Sequence, residues 1–427
     1  MSLDWIFGKK PTSPAPWGQM RARARDLKDL AAGFAARGGT SIGAALDSRT
    51  WDDLNLDDVF TVLDRTESVV GQQVLYARLR QPSAENHLAA FEALVAGLSD
   101  DVRSRERAQL ALAGLADATD ERPVRAAARR LRFMHDRNTA PLTAALDDSR
   151  GAELSRVFAA VGEIDAALSV ASYRAGTPGW VRPMFVADGE PARMAGLRHP
   201  LLWDAVPNSI EFNPPNGVII TGSNMSGKST FLRTVGVSAV LAQSINTVLA
   251  DAYECPRFAI RSCIGRADDP ATGRSYYLME VDAVLSLVQA ARTDVTHLML
   301  FDELFRGTNA IERIAAGEAV LAALVPLEGA RHVVVAATHD DELVDLLAGR
   351  YEPHHFTDHV DGSGVMFDYK IRPGSSTTRN AIALLRMRGA PPELVEYALI
   401  RATRLERARQ ELERTRQELE RARQDAD

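Results

Sequence analysis

A glycine-rich segment carries the clearest chemical signal in the sequence. Residues 222–230 (GSNMSGKST) have the spacing G-x-x-x-x-G-K-[ST] and follow the apolar run GVIIT (217–221). Its glycines let backbone N–H groups turn toward phosphate oxygens at the start of a helix. Lys228 would reach the β- and γ-phosphates of a nucleotide, and the Ser229 hydroxyl would bind Mg²⁺. The residues predicted to contact the nucleotide are Gly222, Ser223, Asn224, Met225, Ser226, Gly227, Lys228, Ser229 and Thr230.

Two acidic residues follow a second apolar run, and a histidine follows a third. Asp302 and Glu303 come directly after HLMLF (297–301), where Asp302 would complete the magnesium shell and Glu303 would accept a proton from water. An acidic pair after a strand is also a common helix cap, so this assignment depends on the phosphate loop upstream. His339 follows HVVVAAT (332–338) and would sense the γ-phosphate, although a single histidine is more often structural.

Charge and cysteine content exclude several classes of protein. The 427 residues have a formal net charge of −7, which excludes a uniformly cationic nucleic-acid coat but not a local basic patch. The two cysteines, Cys255 and Cys263, are too few for a disulfide scaffold or a four-cysteine zinc module. No apolar run is long enough for a transmembrane helix, and the N-terminus lacks the apolar core of a secretory signal. We therefore expect a cytoplasmic protein with no membrane partner.

The three apolar runs indicate the element type that positions these residues. Each run is apolar on both faces, as buried parallel strands are, and helical patterns separate them. Residues 176–374 are therefore predicted to form an α/β domain that includes a hairpin around DGSG (361–364). The Gly/Pro-rich stretch 174–183 is the expected boundary with the preceding chain.

The chain before that boundary is predicted to be all helical. A flexible leader is expected at 1–18, and residues 19–175 are rich in Ala, Leu and Arg at helical spacing. Val69–Arg80 is a typical segment, with Thr66 as a plausible helix cap and Pro82 as a stop.

The C-terminal segment, 401–427, repeats a charged heptad. Leu405, Leu412 and Leu419 recur every seven residues, which gives a thin coiled-coil seam that would need a partner helix. Opposite charges three and four residues apart would equally support an exposed single helix. The sequence leaves both alternatives open.

Taken in order, these residues resemble the ATPase domain of the MutS family. The resemblance covers about residues 50–400, including the start of a helical core at 62–82, and is most specific in 196–340. The further motifs that carry it are GLRHP (196–200), VPN (206–208), IGRADD (264–269), GRSYYLME (273–280), RGT (306–308) and TH (338–339).

The resemblance implies a P-loop NTPase fold of the ABC type that hydrolyses ATP with Mg²⁺ as a homodimer with shared nucleotide sites. By position, Ser275 would touch the γ-phosphate bound by the opposite subunit, and Asn224 would lie against the triphosphate. Residues 375–400 resemble the family's helix–turn–helix dimerisation element. The residues expected to serve catalysis are thus Lys228, Ser275, Glu303 and His339, and those expected to bind Mg²⁺ are Ser229 and Asp302.

The sequence also departs from the family pattern. Ser223 and Ser226 replace the usual Pro and Gly of the loop, and Ser209 and Leu249 replace Asp and Pro, but none of these changes removes a catalytic group. About fifty residues precede the helical core motif, so we expect no mismatch-recognition or connector domain. We also expect the DNA clamp to be missing or vestigial, and no C-terminal nuclease domain.

Two functions follow as hypotheses. One is a dimeric ATPase that acts on DNA, or in mismatch repair or recombination, by selecting DNA structures and without recognising mismatches. The other is an ATP-gated interaction module without nucleic-acid contact, which the acidic net charge favours, with the C-terminal helix docking a protein partner. The transporter signature LSGGQ is absent from the sequence, which argues against a transporter ATPase.

Overall fold

A computed structural model of the chain describes residues 16–20, 26–36, 45–115, 121–131, 134, 154–214, 216–223, 225–264, 276–361, 364–375, 382, 385–386, 388–404 and 407. The predicted heptad leucines and most of the predicted leader therefore lie outside the described residues. The described chain is helical up to Gly176, and β-strands begin at Trp180. Within those ranges, none of the helices has the length and apolar character needed to cross a membrane.

The first part of the chain packs around one long helix. Its helices are α1 (Leu27–Ala36), α2 (Ser48–Asp53), α3 (Leu56–Leu63), α4 (Val69–Arg80), α5 (Glu85–Asp100), α6 (Val102–Leu112), α7 (Glu121–Arg130) and α8 (Leu154–Gly176). Helices α4 to α7 all contact α8, the longest of them. The buried Tyr76 ring packs against Trp51 and Phe60, with ring centroids 4.8 and 5.5 Å apart. These rings belong to a core that continues into the second part of the chain.

A buried carboxylate on α8 fixes the start of α4. Asp165 accepts hydrogen bonds from the Ser68 N–H and hydroxyl at 2.8 and 2.5 Å. Gly71 lies against it, because a Cβ there would come within 2.2 Å of Asp165 Oδ2. The predicted cap, Thr66, is wrong, since its hydroxyl donates to Asp64 at 2.6 Å. Ser68 caps α4 instead, with extended backbone and an oxygen that accepts from the Gly71 N–H.

The second part of the chain is built on a six-stranded sheet with the order β12–β11–β5–β10–β9–β8. Its strands are β5 (Gly217–Thr221), β8 (Ala259–Ile264), β9 (His297–Asp302), β10 (Val333–Ala337), β11 (Tyr351–Asp361) and β12 (Gly364–Pro373). All pairs are parallel except the β11–β12 hairpin. The three predicted buried strands and the predicted hairpin are therefore confirmed.

Smaller sheets and helices surround this main sheet. The remaining strands are β1 (Trp180–Val181), β2 (Met184–Phe185), β3 (Ala192–Leu197), β4 (Asn208–Phe212), β6 (Val248–Leu249) and β7 (Ala252–Cys255). They form a four-stranded sheet, β2–β7–β3–β4, and a β1–β6 pair. The helices are α9 (Lys228–Ile245), α10 (Tyr276–Ala290), α11 (Ala310–Leu324) and α12 (Asp341–Leu346), and residues 392–404 are also helical.

Alternation along the main strands separates two cores. Met299 and Val334 face a cluster with α10, α11 and α12, whereas Leu300 and Val335 face α9 and the helical part. Gly236 allows α9 to pack closely here, because a Cβ would come within 2.6 Å of Leu54 and 2.7 Å of Leu300. Helix α9 is therefore held between the main sheet and the helical part.

The C-terminal end of α9 is fixed by arginines from the helical part. Arg174 donates to the Asn246 carbonyl at 2.9 Å and pairs with Glu92 at 2.6 Å. Arg78 donates to the Ser244 carbonyl at 3.3 Å. Cations at this end complement the helix dipole, typically by about 0.3–1 kcal/mol each. The opposite end of α9 points to the phosphate loop.

Candidate active site

The carboxyl ends of three neighbouring strands meet at one edge of the main sheet. Asp302 of β9 pairs with Ala337 of β10, and the Thr338 N–H donates to the Ile220 carbonyl of β5 at 2.9 Å. This register places the loop after β5, the acidic pair after β9 and His339 after β10 side by side. Open parallel sheets bind their ligands outside this edge.

The phosphate loop is shaped by left-handed residues. Gly222 and Gly227 have φ values of 142° and 113°, and Met225 between them has 70°. A Cβ on Gly222 would lie 2.9 Å from the Phe356 carbonyl oxygen, so the loop approaches β11 only with glycine there. Because α9 begins at Lys228, the helix N-terminus opens directly onto this glycine-lined turn, which fits a phosphate group.

The Lys228 ammonium lies over the loop and is nearly buried. It donates to the carbonyl oxygens of Gly222 and Ser223 at 2.7 and 3.1 Å and lies 3.3 Å from His339 Nε2. The ammonium is therefore fixed against the loop by two backbone carbonyl oxygens. It also links the loop to the end of β10.

Ser229 and Asp302 form the predicted magnesium pair. The Ser229 hydroxyl donates to Asp302 Oδ2 at 2.5 Å, which joins the first turn of α9 to the end of β9. Burial raises the pKa of Asp302, and the hydrogen bond from Ser229 opposes this rise. A hydroxyl and a carboxylate at this spacing are the hard oxygen ligands that Mg²⁺ binds beside phosphates. The two residues thus fit the metal that their sequence pattern predicted.

Glu303 has a strained backbone and two cationic or polar neighbours. Its φ of 55° lies in the left-handed region, which non-glycine residues rarely adopt. His339 Nε2 lies 2.7 Å from Glu303 Oε1, and Arg306 Nε lies 3.3 Å from Oε2. The hydrogen bond with His339 holds the pKa of Glu303 below its ordinary value. The carboxylate is therefore ionised at neutral pH, as a proton acceptor must be.

His339 connects the two charged groups that the sequence assigned to different roles. Its Nε2 atom is within reach of both Lys228 Nζ and Glu303 Oε1, at 3.3 and 2.7 Å. One nitrogen can donate to Glu303 or accept from Lys228, depending on its tautomer. A ligand that engages Lys228 would therefore change the partner set of His339.

The structure brings most of the predicted residues together at this edge. Asn224 and Ser275 lie outside the described residues, so their predicted roles stay predictions. The predicted residues found at the edge are Gly222, Ser223, Met225, Ser226, Gly227, Lys228, Ser229, Thr230, Asp302, Glu303 and His339.

The same edge falls inside a region shared with known proteins. Residues 218–406 match the family model described as MutS domain V. A DNA mismatch repair protein MutS from Thermus thermophilus is 34% identical over 250 residues, which cover 58% of this chain and 29% of that protein. Over these residues the chain is similar to MutS domain V. The proteins of the same name from Thermus aquaticus and Streptococcus pyogenes serotype M5 are 33% and 32% identical, again over less than a third of their length.

A cavity of about 400 Å³ adjoins the phosphate loop. Its wall includes His199, Phe231, Phe356 and Tyr369, which offer flat or apolar surfaces to a ligand. Burial lowers the pKa of His199 to about 4, so its ring is neutral. Asn208 closes one side by accepting from the Ile371 N–H and donating to the Tyr369 carbonyl, each at 2.9 Å.

The sequence interpretation missed this wall. Its side chains come from distant segments, and only the motifs GLRHP (196–200) and VPN (206–208), noted for their resemblance, were signals of it. A second cavity of about 200 Å³ lies against Glu303, Arg306 and His339 and was also missed. It leaves room for small molecules beside the Glu303 carboxylate.

Proposed function

We propose that the chain is a MutS-family ATPase, which binds ATP with Mg²⁺ at the carboxyl edge of the main sheet and hydrolyses it. The observation that carries the proposal is the convergence of Lys228, the Ser229–Asp302 pair and the ionised Glu303 at one edge. Two neighbouring cavities, of about 400 and 200 Å³, flank these groups. The MutS domain V match includes Lys228, Ser229, Asp302 and Glu303.

Each part of the edge has a distinct task in binding. The larger cavity takes the adenosine between its apolar and aromatic walls, and the loop N–H groups hold the phosphates. Lys228 neutralises the outer phosphates, and Ser229 with Asp302 holds Mg²⁺. When bound there, Mg²⁺ supplies positive charge to the β- and γ-phosphate oxygens.

Hydrolysis needs a group that takes a proton from water. The water oxygen forms a bond to the terminal phosphorus, the bond from that phosphorus to the ADP oxygen breaks, and a water proton passes to Glu303. His339 and Arg306 hold the Glu303 carboxylate in place. Because His339 also reaches Lys228, the engagement of Lys228 by a phosphate releases His339 to act on Glu303 alone.

The test of this proposal compares the wild type with Glu303→Gln. The amide keeps the size of the side chain but cannot serve as a base, so hydrolysis falls by about 100-fold or more. Binding of a fluorescent ATP analogue stays within roughly 3-fold, because the phosphate ligands are intact. Phosphate release and fluorescence titration measure the two quantities. Equal hydrolysis by both proteins would remove Glu303 from the mechanism, and absent hydrolysis by the wild type would refute the proposal.

We further propose that the protein acts as a homodimer with shared nucleotide sites. The helix at residues 392–404 exposes apolar side chains three residues apart, with Leu394, Tyr397 and Ile400 being 48%, 66% and 48% exposed. Such a row supports self-association through the predicted dimerisation element at 375–400. Ser275, assigned by resemblance, acts on the nucleotide of the opposite subunit.

Mixing two inactive variants tests the shared sites. Lys228→Ala lacks the phosphate lysine and Ser275→Ala lacks the residue acting across the dimer, so each homodimer hydrolyses poorly. Random pairing of the two gives dimers with one intact composite site and restores about a quarter of wild-type activity. Additive, low activity in the mixture would contradict shared sites.

For the biological role, we propose action on DNA, or in mismatch-repair or recombination metabolism, through DNA structure and without direct mismatch recognition. The support is the name that the matched relatives carry, DNA mismatch repair protein MutS. The net charge of −7 favours the second candidate, an ATP-gated protein-interaction module that docks a partner through the C-terminal helix.

Gel shifts with mismatched, branched and single-stranded DNA, with and without ATP, separate these roles. Binding that prefers branched DNA and falls steeply between about 50 and 200 mM salt supports the DNA role. A preference for the mismatched duplex would contradict selection by structure. No shift of any DNA at low salt would favour the interaction module.

A further inference from the structure

Glu280 on α10 is not one of the predicted nucleotide ligands, yet its carboxylate reaches the loop after β9. The Phe305 N–H donates to Glu280 Oε1 at 2.6 Å. The side chain is only 6% exposed, and its other oxygen, Oε2, has no hydrogen-bond partner within the described ranges. A buried carboxylate is costly unless its contacts compensate. The backbone of the loop after β9 supplies that compensation, through the N–H groups of Phe305 and Arg306.

The loop that Glu280 contacts has an unfavourable backbone. Glu303 and Phe305 have φ values of 55° and 59°, each in the left-handed region. Residues in this region are strained and persist where the surroundings impose them. The Glu303 N–H is held by the Ala337 carbonyl at 2.9 Å, and the Phe305 N–H is held by Glu280. These two anchors bracket the turn that presents the Glu303 side chain.

The helical part of the chain supports Glu280 in turn. Arg49 of α2 donates to the Met279 carbonyl at 3.2 Å and to Cys263 Sγ at 3.8 Å. Its positive charge opposes the rise that burial causes in the pKa of Glu280, as do the backbone N–H groups of the loop. Asp53, also on α2, accepts from the Ile264 N–H at 3.0 Å. Helix α2 therefore contacts the end of β8 and the first turns of α10.

We propose that Glu280 is a positioning residue, whose carboxylate holds residues 303–305 in the backbone conformation that directs Glu303 at His339 and the nucleotide. Arg49 fixes Glu280 from the helical part. The inference rests on the proposed ATP hydrolysis, in which Glu303 accepts the proton. It adds a residue outside the edge of the main sheet to the machinery for that step.

The kinetic test compares Glu280→Ala with Glu280→Gln and with a matched control. Glu280→Ala removes the acceptor of the Phe305 N–H, so kcat falls by about 30-fold while the KM for ATP stays within about 3-fold. Glu280→Gln keeps an acceptor oxygen at the same place and restores most of the loss. Asp282→Ala, which removes an exposed carboxylate from the same helix, leaves kcat unchanged.

Amide hydrogen exchange gives a readout that does not depend on activity. In the wild type the Phe305 amide is protected, and in Glu280→Ala it exchanges at least about 10-fold faster while the core strands stay protected. Fast exchange of this amide in the wild type would overturn the proposal even if Glu280→Ala did not fold. Unchanged kcat in Glu280→Ala, beside an active wild type, would also overturn it. An inactive wild type with the exchange effect present would refute the proposed hydrolysis and leave the anchoring of the loop standing.

Discussion

The polar side chains at the two ends of the central strands differ in burial and in hydrogen bonding. At the amino end, His297 and His332 are 3% and 5% exposed, with ring centroids 5.3 Å apart. Each ring has a backbone partner, the Val295 carbonyl at 2.7 Å and the Ala291 carbonyl at 3.0 Å. Burial lowers the pKa of both histidines, so both rings are neutral at pH 7.

At the carboxyl end, polar and charged side chains can change their hydrogen-bond partners. His339 is shared by Lys228 and Glu303, and Glu303 has left-handed backbone. The buried Ser226 hydroxyl has no hydrogen-bond partner within the described part of the chain. A histidine at a strand end is therefore not by itself a sign of a functional site. A site is marked by charged groups whose partner set a ligand can complete.

Lys228→Ala should weaken ATP binding strongly while leaving the stability of the fold nearly unchanged. Lys228→Ala weakens ATP binding by about 100-fold, because the ammonium at the loop is lost. The melting temperature stays within about 3 °C, since the lysine stabilises the loop and not the core. Calorimetric titration and thermal unfolding measure the two changes. Lys28→Ala, which alters an exposed lysine of α1, is the control. Unchanged ATP affinity in Lys228→Ala would contradict nucleotide binding at the carboxyl end of the strands.

Acid tests the amino end. The pKa of His297 is lowered to about 4, so the unfolded chain binds a proton at higher pH than the folded chain. This contribution to stability is present above pH 6.5 and is lost as the pH falls toward 4. Between pH 7 and pH 5 the wild type loses on the order of 2 kcal/mol more than His297→Asn. Urea unfolding at both pH values measures the difference. Equal losses of unfolding free energy in the two proteins would contradict a buried, neutral His297 ring.

Two histidines that flank β10 form a matched pair. His332→Asn lowers the free energy of unfolding by about 1–2 kcal/mol and leaves hydrolysis unchanged, because it removes a buried hydrogen bond far from the site. His339→Asn lowers kcat about 10-fold and changes stability by less than about 0.5 kcal/mol. Unfolding and phosphate-release assays on both variants check this. A loss of kcat in His332→Asn with a loss of stability in His339→Asn would show that the roles of the two ends are assigned wrongly.

The smallest effect concerns the buried Ser226 hydroxyl. Ser226→Ala removes a polar group without a partner and raises the free energy of unfolding by up to about 1 kcal/mol. Thermal unfolding of the nucleotide-free protein measures it. A clear loss of stability would show that the hydroxyl is satisfied.

The sequence predicted the residues at the carboxyl edge of the main sheet better than the residues that surround and support them. The Lys228 loop and Asp302 were recognisable because glycine spacing and strand-end carboxylates are local signals. The cap of α4 was missed because Thr66 and Ser68 are equally good caps by composition, and only the contact with Asp165 on α8 decides between them. The cavity wall at Tyr369 and the anchor from Glu280 to Phe305 join segments far apart in the chain, which no local pattern reveals.

A crystal structure of Glu303→Gln with ATP and Mg²⁺ would show directly whether the nucleotide binds at the carboxyl edge of the main sheet. We expect the γ-phosphate against Lys228, Mg²⁺ bound by Ser229 and Asp302, and a second copy of the chain facing the nucleotide. An empty phosphate loop, or ATP bound elsewhere on the molecule, would contradict ATP binding at this edge.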